Sequence, residues 1–373
     1  MEIHKSKMKK KLKYLCLQAT QQGQASYAHV LEIINGLRKR DWNVKLFEPT
    51  YAKKNITPGI LVRLFEFFIV QIKLWSKVHK KDIIYIRSHF AAFPTALLAK
   101  LLNIPIIQEL NGPYEDLFIS WPVTRNLASI FKLIIRIQLK WANMIITVTP
   151  QLKEWVLKEV GNKLVFVIPN GANINLFNPE AISKYRISPP YVVFFGALAA
   201  WQGIDTLLAA VNLSEWPEDL KLVIMGDGVE RAKVEKAEKE NPKIVYLGRI
   251  PYKNVPGVIA NSIAGLSPKN NKSGRSNTGL SPLKVYETLA CGVPAIVTDF
   301  AGQADLIKKY NCGAVISPEN PKELADTIKY LYNNPKVRRE MGKSGYEIIK
   351  KEHSWDKRAA DTDKILCQLA KYN

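Results

Sequence analysis

Cysteine is scarce in this chain of 373 residues: Cys16, Cys291, Cys312 and Cys367 are too scattered for a zinc site or a disulfide framework. Reduced thiols in a cytosolic protein are the expectation. There are only five histidines, and no repeat or low-complexity segment stands out. No uninterrupted apolar run is long enough to span a bilayer. The most apolar stretch, Leu61 to Val78, is broken by Arg63, Glu66, Gln71, Lys73 and Lys77 and reads as an amphipathic helix. The apolar segment after the basic start is too short for a secretion signal or an anchor. Three spaced glycines after the first strand are also missing, which disfavours a nicotinamide cofactor.

Acidic residues are outnumbered, 33 against 54 Lys and Arg, for a formal net charge of +21. The imbalance is uneven, since residues 1–180 hold 26 basic and 12 acidic residues and carry +14 of it. Nucleic acid, an anionic membrane surface and anionic small substrates all fit such a charge. Arg125, Lys132, Arg136 and Lys140, read within one helix from Trp121 to Val148, align on a basic face. Together with the Lys-rich start they raise the expectation of electrostatic docking on the cytoplasmic face of an anionic membrane, with no residue entering the hydrocarbon and no nucleic-acid partner.

What is present is an alternation of short apolar strands and helices, twice over. The first series opens with a strand at Tyr14 to Leu17, a loop bearing Gly23 and a helix. It continues through strands at 44–47, 82–87, 105–110 and 165–168. His89 and Glu109 fall at or near strand carboxyl ends, where open parallel sheets bind ligands. A turn-rich segment, PNGANINLFNP, places a boundary near residue 180. The second series has YVVFFG ending at Gly196, LKLVIMGDG ending at Gly226, Asp227 and Gly228, and IVYLGRI with Leu247 and Arg249. AGLSPKNNKSGRSNTGL reads as a polar loop.

The densest stretch is SPLKVYETLACGVPAIVTD, Ser281 to Asp299. Ser281 suits a helix N-cap and Pro282 the first turn; Gly292 suits a left-handed helix end, and Ala295 to Thr298 a buried strand. Lys284 at the helix mouth suits a phosphate, and Glu287 one turn deeper a ribose hydroxyl pair.

Taken together, PNGANINLFNP, VVFFGALAAWQGIDTLLAA, LVIMGDG, VYLGRIPYKNVP and SPLKVYETLACGVPAIVTDFAGQADLI resemble glycosyltransferase family 4 in spacing and order. The resemblance implies the α/β GT-B fold: two Rossmann-like doubly wound parallel-sheet domains facing a cleft. The expected division is 1–180 on the acceptor side, 181–352 for the nucleotide sugar, and a C-terminal helix, 353–373, packing back on the first domain. The implied function is retaining transfer of a hexose from a nucleotide-diphosphate sugar to a glycan or lipid-linked acceptor in cell-surface polysaccharide or glycoconjugate synthesis. No cofactor is implied, and no Asp-x-Asp pair is evident as a metal site.

By the resemblance, Glu287 meets the ribose and the amides near Leu283 and Lys284 the diphosphate. Gly226 to Gly228 and Leu247 to Ile250 wall the base pocket, with Gly23, Gly196, Gln202, Gly279, Leu280 and Ser281 completing the substrate set. Lys284, Glu109, Asn111 and His89 are the catalytic candidates. Three departures accompany this. Gly279 stands where the family commonly has a sugar-binding glutamate, Ala197 and Gln202 where it has diphosphate cations, and Asn111 where it has a histidine. A nucleotide-sugar 2-epimerase and a non-catalytic nucleotide-sugar-binding subunit are the alternatives.

Overall fold

The computed structural model describes residues 10–18, 20, 25–53, 58–188 and 190–371. Gly23 lies outside them, as do the first nine residues. Strands β1 (Lys10–Cys16), β2 (Trp42–Phe47), β3 (Ile83–Arg87), β4 (Ile106–Leu110), β5 (Met144–Thr147) and β6 (Val165–Val167) form one sheet in the order β2-β1-β3-β4-β5-β6. β7 (Tyr191–Phe195), β8 (Lys221–Met225), β9 (Ile244–Gly248), β10 (Gly265–Ser267), β11 (Ala295–Thr298) and β12 (Gly313–Ile316) form another, ordered β12-β11-β10-β7-β8-β9. All pairings within both sheets are parallel. β3, β4 and β5 are buried throughout, as expected of strands covered by helices on both faces.

The strand order reverses between β1 and β3 in the first sheet and between β7 and β10 in the second. Loops leaving strands at such a reversal part to opposite faces and open a crevice. That is the fold's contribution to the site.

The expected helix from Trp121 to Val148 is three elements. A 3₁₀ segment covers Pro122–Leu127, a helix Ala128–Trp141, and β5 follows. Ala142 takes an extended conformation and ends the helix, and MIIT then pairs with β4 and β6. The basic stripe therefore does not lie on one helix: Arg125 precedes it, Arg136 is ion-paired to Glu159, and the Lys132 ammonium sits 5.7 Å from the Tyr114 ring centre. Ile130 and Leu133 are exposed instead.

The polar loop AGLSPKNNKSGRSNTGL hides the short strand β10. Glycine and serine have little β propensity, but β10 is clamped between β7 and β11, and tertiary pairing overrides composition. Gly265 is required there, because a Cβ would come within 2.4 Å of the Thr288 hydroxyl.

After the second sheet the chain returns to the first. Ala172 N–H donates to the His353 carbonyl at 3.0 Å, and Trp355 N–H donates to the Ala172 carbonyl at 3.0 Å. The Ser354 hydroxyl caps the last helix, Trp355–Lys371, by accepting from Lys357 N–H, as the sequence suggests. That helix lies on the helix Ala25–Arg38; Trp355, Ile365, Leu366 and Leu369 complete the first sheet's core.

Candidate active site

The helix Leu283–Ala290 is buried at all eight positions, Lys284 and Glu287 included. Two ionisable side chains inside a wholly buried helix cost several kcal/mol each unless something compensates them. The helix starts differently from expectation. Pro282 is extended and occupies the cap position, with no side-chain cap. The Ser281 hydroxyl is taken by Asn170, whose N–H donates to it at 3.1 Å, and it also bonds the Tyr286 hydroxyl at 3.0 Å. Gly292 is left-handed at φ +70, as expected.

This helix forms one wall of a cavity of about 490 Å³ at the β7/β10 reversal. The Lys284 ammonium lies 3.7 Å from the Phe194 ring centre and donates to Gln202 Oε1 at 3.1 Å. Burial, and then the charge of Lys269, hold the amine well below its ordinary 10.5 despite Glu287. Glu287 accepts from the Tyr252 hydroxyl at 2.6 Å, and burial raises its carboxyl to about 7 against that bond and the Lys284 charge. Gly196, Gln202, Gly226, Asp227, Arg249 and Leu283 join the wall. Gly226 sits at φ +141, where a Cβ would be 1.8 Å from the Gly196 carbonyl oxygen, so the two loops touch backbone to backbone. Gly228 and Leu247 stand apart. Gly228 closes on the Leu198 carbonyl, and the Leu247 side chain packs on the core.

Gly279, Leu280 and Ser281 line a second cavity of about 230 Å³, set between the two sheets. At Gly279, φ +75, a Cβ would meet Gln151 Oε1 at 2.7 Å, so residues of the first domain fill the space a longer side chain would need. Lys269, Pro282 and Leu283 border both cavities.

Arg87 and Asn111 connect this second cavity to a third, of about 550 Å³, in the first domain. Glu109 lies in the third cavity's wall and is saturated with donors. Tyr14 and Tyr85 hydroxyls reach its Oε2 at 3.2 and 2.6 Å; Arg87 Nη1, Asn111 Nδ2 and His29 Nε2 reach Oε1 at 2.6, 2.7 and 3.0 Å. Burial alone would raise its carboxyl, but the His29 and Arg87 charges and these bonds hold it well below the carboxylate range. A carboxylate so held is an anchor and a poor proton carrier.

His29 was not among the sequence candidates, yet it ties the halves together. Its Nδ1 faces Asn170 Oδ1 at 2.8 Å, and Asn170 Nδ2 donates to the Ser281 carbonyl at 2.5 Å. Asn170 therefore presents its oxygen to the ring, and both ring nitrogens face acceptors. Arg87 and Tyr252 were missed as well; a lone arginine closing the apolar strand IIYIR was the available signal.

His89 is placed apart from Lys284 and Glu287. It borders the third cavity, its Nδ1 accepts from Ala91 N–H at 3.2 Å, its ring stacks on Phe90 at 4.5 Å, and burial lowers it to about 4. The one Asp-x-Asp spacing, Asp361 and Asp363, is in the last helix: Asp361 pairs with Arg358 at 3.4 Å and Asp363 accepts from the Trp42 indole at 2.6 Å. Among the described residues no group of three His, Cys, Asp or Glu is placed to hold a metal ion.

Two family patterns match in succession: Glycosyltransferase Family 4 over residues 28–176 and Glycosyl transferases group 1 over 178–348. An uncharacterized glycosyltransferase of Methanocaldococcus jannaschii is 26% identical over 303 residues, 79% of this chain and 78% of that protein. The sucrose-phosphate synthase structure from Thermosynechococcus elongatus superposes with a TM-score of 0.81 at 17% identity, covering 98% of this chain and all of that one. Anabaena HepE in complex with UDP-glucose gives a TM-score of 0.72 at 18% identity over 96% and 99% of the two chains. With both family patterns in order along the chain and the two reversed-order sheets of a GT-B fold, this protein is a glycosyltransferase of family 4.

Proposed function

We propose that the protein transfers a hexose, with retention and without a metal ion, from a nucleotide-diphosphate sugar in the 490 Å³ cavity to a glycan or lipid-linked acceptor entering from the first domain. The acceptor would belong to cell-surface polysaccharide or glycoconjugate synthesis on the cytoplasmic side. The carrying observation is the undercompensated Lys284 beside Glu287 at the mouth of a buried helix. The UDP-glucose complex of HepE supports this kind of donor.

As the bond between the sugar and the diphosphate breaks, positive charge builds on the sugar ring and negative charge on the departing phosphate. A fixed cation aimed at the latter lowers the barrier without reorganisation. Lys284 supplies it, held by Gln202 at 3.1 Å. Lys269, on the wall common to donor cavity and cleft, adds a second. Gln202 is thereby the orienting partner of the cation and needs no charge of its own. Glu287, ionised, accepts from the ribose.

The test is a thermal-shift screen of uridine, guanosine and adenosine diphosphates and their sugars, because a ligand of the folded state raises Tm. Donor is then incubated alone and with candidate acceptors. A changed sugar without acceptor would establish epimerisation, and tight binding without turnover a binding subunit.

Glu287 gives a pH prediction. Its carboxyl moves from an ordinary 4.5 to about 7 in the folded protein. The stabilisation it contributes is complete below 4.5 and is lost as pH rises through about 7; at about 1.4 kcal/mol per unit the loss is about 3 kcal/mol. Glu287→Gln removes this cost. The ligand-free variant should melt higher than wild type at pH 8 and bind nucleoside diphosphate about 5- to 150-fold more weakly, from loss of about 1 to 3 kcal/mol of charged hydrogen bonding. An unchanged Tm together with unchanged affinity overturns both halves.

A further inference from the structure

The helix Ile60–Trp75 carries large apolar side chains on two opposite faces, and only one of those faces is covered. Phe67, Val70, Gln71 and Leu74 are buried. Leu61, Phe65, Phe68 and Ile72, spaced by four, three and four, form the opposite stripe, and at 78%, 65%, 50% and 40% exposure they stand in solvent. Beside it, Trp121, Val123, Leu127, Ile130 and Leu133 are also exposed. The two segments adjoin, for the Arg63 guanidinium lies 5.0 Å from the Trp121 ring centre. Scattered apolar residues on a surface are ordinary, but nine on two adjoining segments are a patch that calls for an occupant.

The charge around the patch selects that occupant. Lys73, Lys77, Lys80 and Lys81 are exposed along and just after the helix. The acidic residues between 60 and 82 are both engaged: Glu66 accepts from Thr50 N–H and hydroxyl at 2.9 and 2.7 Å, and buried Asp82 pairs with Lys13 at 3.3 Å. From Trp121 to Lys140 there is no acidic residue at all. Apolar side chains ringed by cations match an anionic bilayer, with the stripe among the acyl chains and the lysines at the headgroups. No helix among the described residues is long and apolar enough to cross a membrane.

We propose that this face docks the protein on an anionic bilayer by inserting the Leu61, Phe65, Phe68 and Ile72 stripe together with Ile130 and Leu133. The 550 Å³ first-domain cavity is bordered by Arg63, Trp121 and Phe131, so docking brings its mouth to headgroup level. From there Arg87 and Asn111 lead into the cleft. This deepens the functional reading, on which it rests for naming the acceptor: the acceptor class becomes a lipid whose polar head enters this cavity. It also replaces purely electrostatic docking with insertion.

The experiment is co-sedimentation of the full chain with vesicles of phosphatidylglycerol and phosphatidylcholine, and with phosphatidylcholine alone, at low salt and at about 1 M, where the Debye length is about 3 Å. The comparison protein is Leu61→Ser/Phe65→Ser/Ile130→Ser, whose changes sit on solvent-exposed positions and whose fold is checked by its nucleotide-induced Tm shift. Insertion predicts strong pelleting with the anionic vesicles, retained in part at high salt, and partitioning at least about tenfold weaker in the triple variant. Brominated acyl chains should quench tryptophan fluorescence in wild type and less in Trp121→Phe. Complete release at high salt, equal pelleting of the variant, or a vesicle-free dimer that the triple variant turns into a monomer each overturns the proposal. A failed vesicle result beside an intact nucleotide shift leaves the transferase reading standing; the reverse pattern sinks that reading and leaves the docking result in place.

Discussion

Replacing Lys284 by methionine should lower kcat by about 10²- to 10³-fold while the ligand-free protein becomes no less stable, a combination that a merely structural lysine would not produce. The barrier effect follows from what the ammonium faces. It is buried, 3.1 Å from a neutral amide oxygen and 3.7 Å from a ring centre, and among the described ion pairs it has none. On the proposed reading its ammonium meets charge that arrives with the donor and grows as the diphosphate leaves, and such an interaction appears in kcat and kcat/KM together. The stability effect follows from the same burial, since methionine fills similar volume without a desolvated charge. The pH profile supplies a third readout. Because burial and Lys269 hold the amine well below 10.5, its protonated fraction falls at lower pH than an ordinary lysine's, and the corresponding fall of kcat/KM with rising pH should disappear in the variant. A rise in KM alone would show that Lys284 holds ground-state donor and nothing more.

The largest loss of stability is expected at Glu109. Glu109→Ala removes one carboxylate and strands the buried Arg87 guanidinium and the His29 ring, while the hydroxyls of Tyr14 and Tyr85, whose rings stack at 4.6 Å, lose their acceptor. Breaking a buried ion pair by deleting one partner costs about 3 to 5 kcal/mol, because the surviving charge stays out of water. Chemical denaturation should show a loss of that order. Glu109→Gln keeps the shape and one acceptor oxygen and should recover part of it. Protein that remains folded should still bind nucleoside diphosphate, since Glu109 is in the other domain from the donor cavity. A loss below about 1 kcal/mol would mean that the cluster is hydrated and the donors find water instead.

The second half of the chain was legible in the sequence and the first much less so, for physical reasons. The donor helix and β11 are written in local code: a proline before the helix, a glycine at its end at φ +70, and a β-branched run after it. Lys284 and Glu287 differ by three positions, so helical periodicity alone puts them one turn apart. Ser281 reads as a cap, but a cap is a competition for one hydroxyl, and Asn170, 111 residues earlier, wins it. β10 is not legible because glycine and serine flank its single leucine, and so short a segment becomes a strand only when two neighbours pair with it. The Glu109 cluster draws on four separate stretches of chain, from Tyr14 to Asn111, and no local pattern announces such convergence. The surface was the hardest to read. Arg136 reads as one cation of a basic face, but Glu159 pairs with it, and the apolar Ile130 and Leu133 stand in solvent.

The return of the last helix to the first sheet has a consequence for how the molecule is made. Trp355, Ile365, Leu366 and Leu369 belong to the core laid down against the helix Ala25–Arg38. A nascent chain emerging from the ribosome has β1 to β6 available long before these side chains exist. Domains generally fold in order of synthesis, but here the first must wait with Ile33, Ile34 and Leu37 lacking their cover until the second has been synthesised. The half that is translated first is thus completed last. A fragment ending before Ser354 should be prone to aggregation, and adding the peptide Ser354–Lys371 in trans should rescue its solubility.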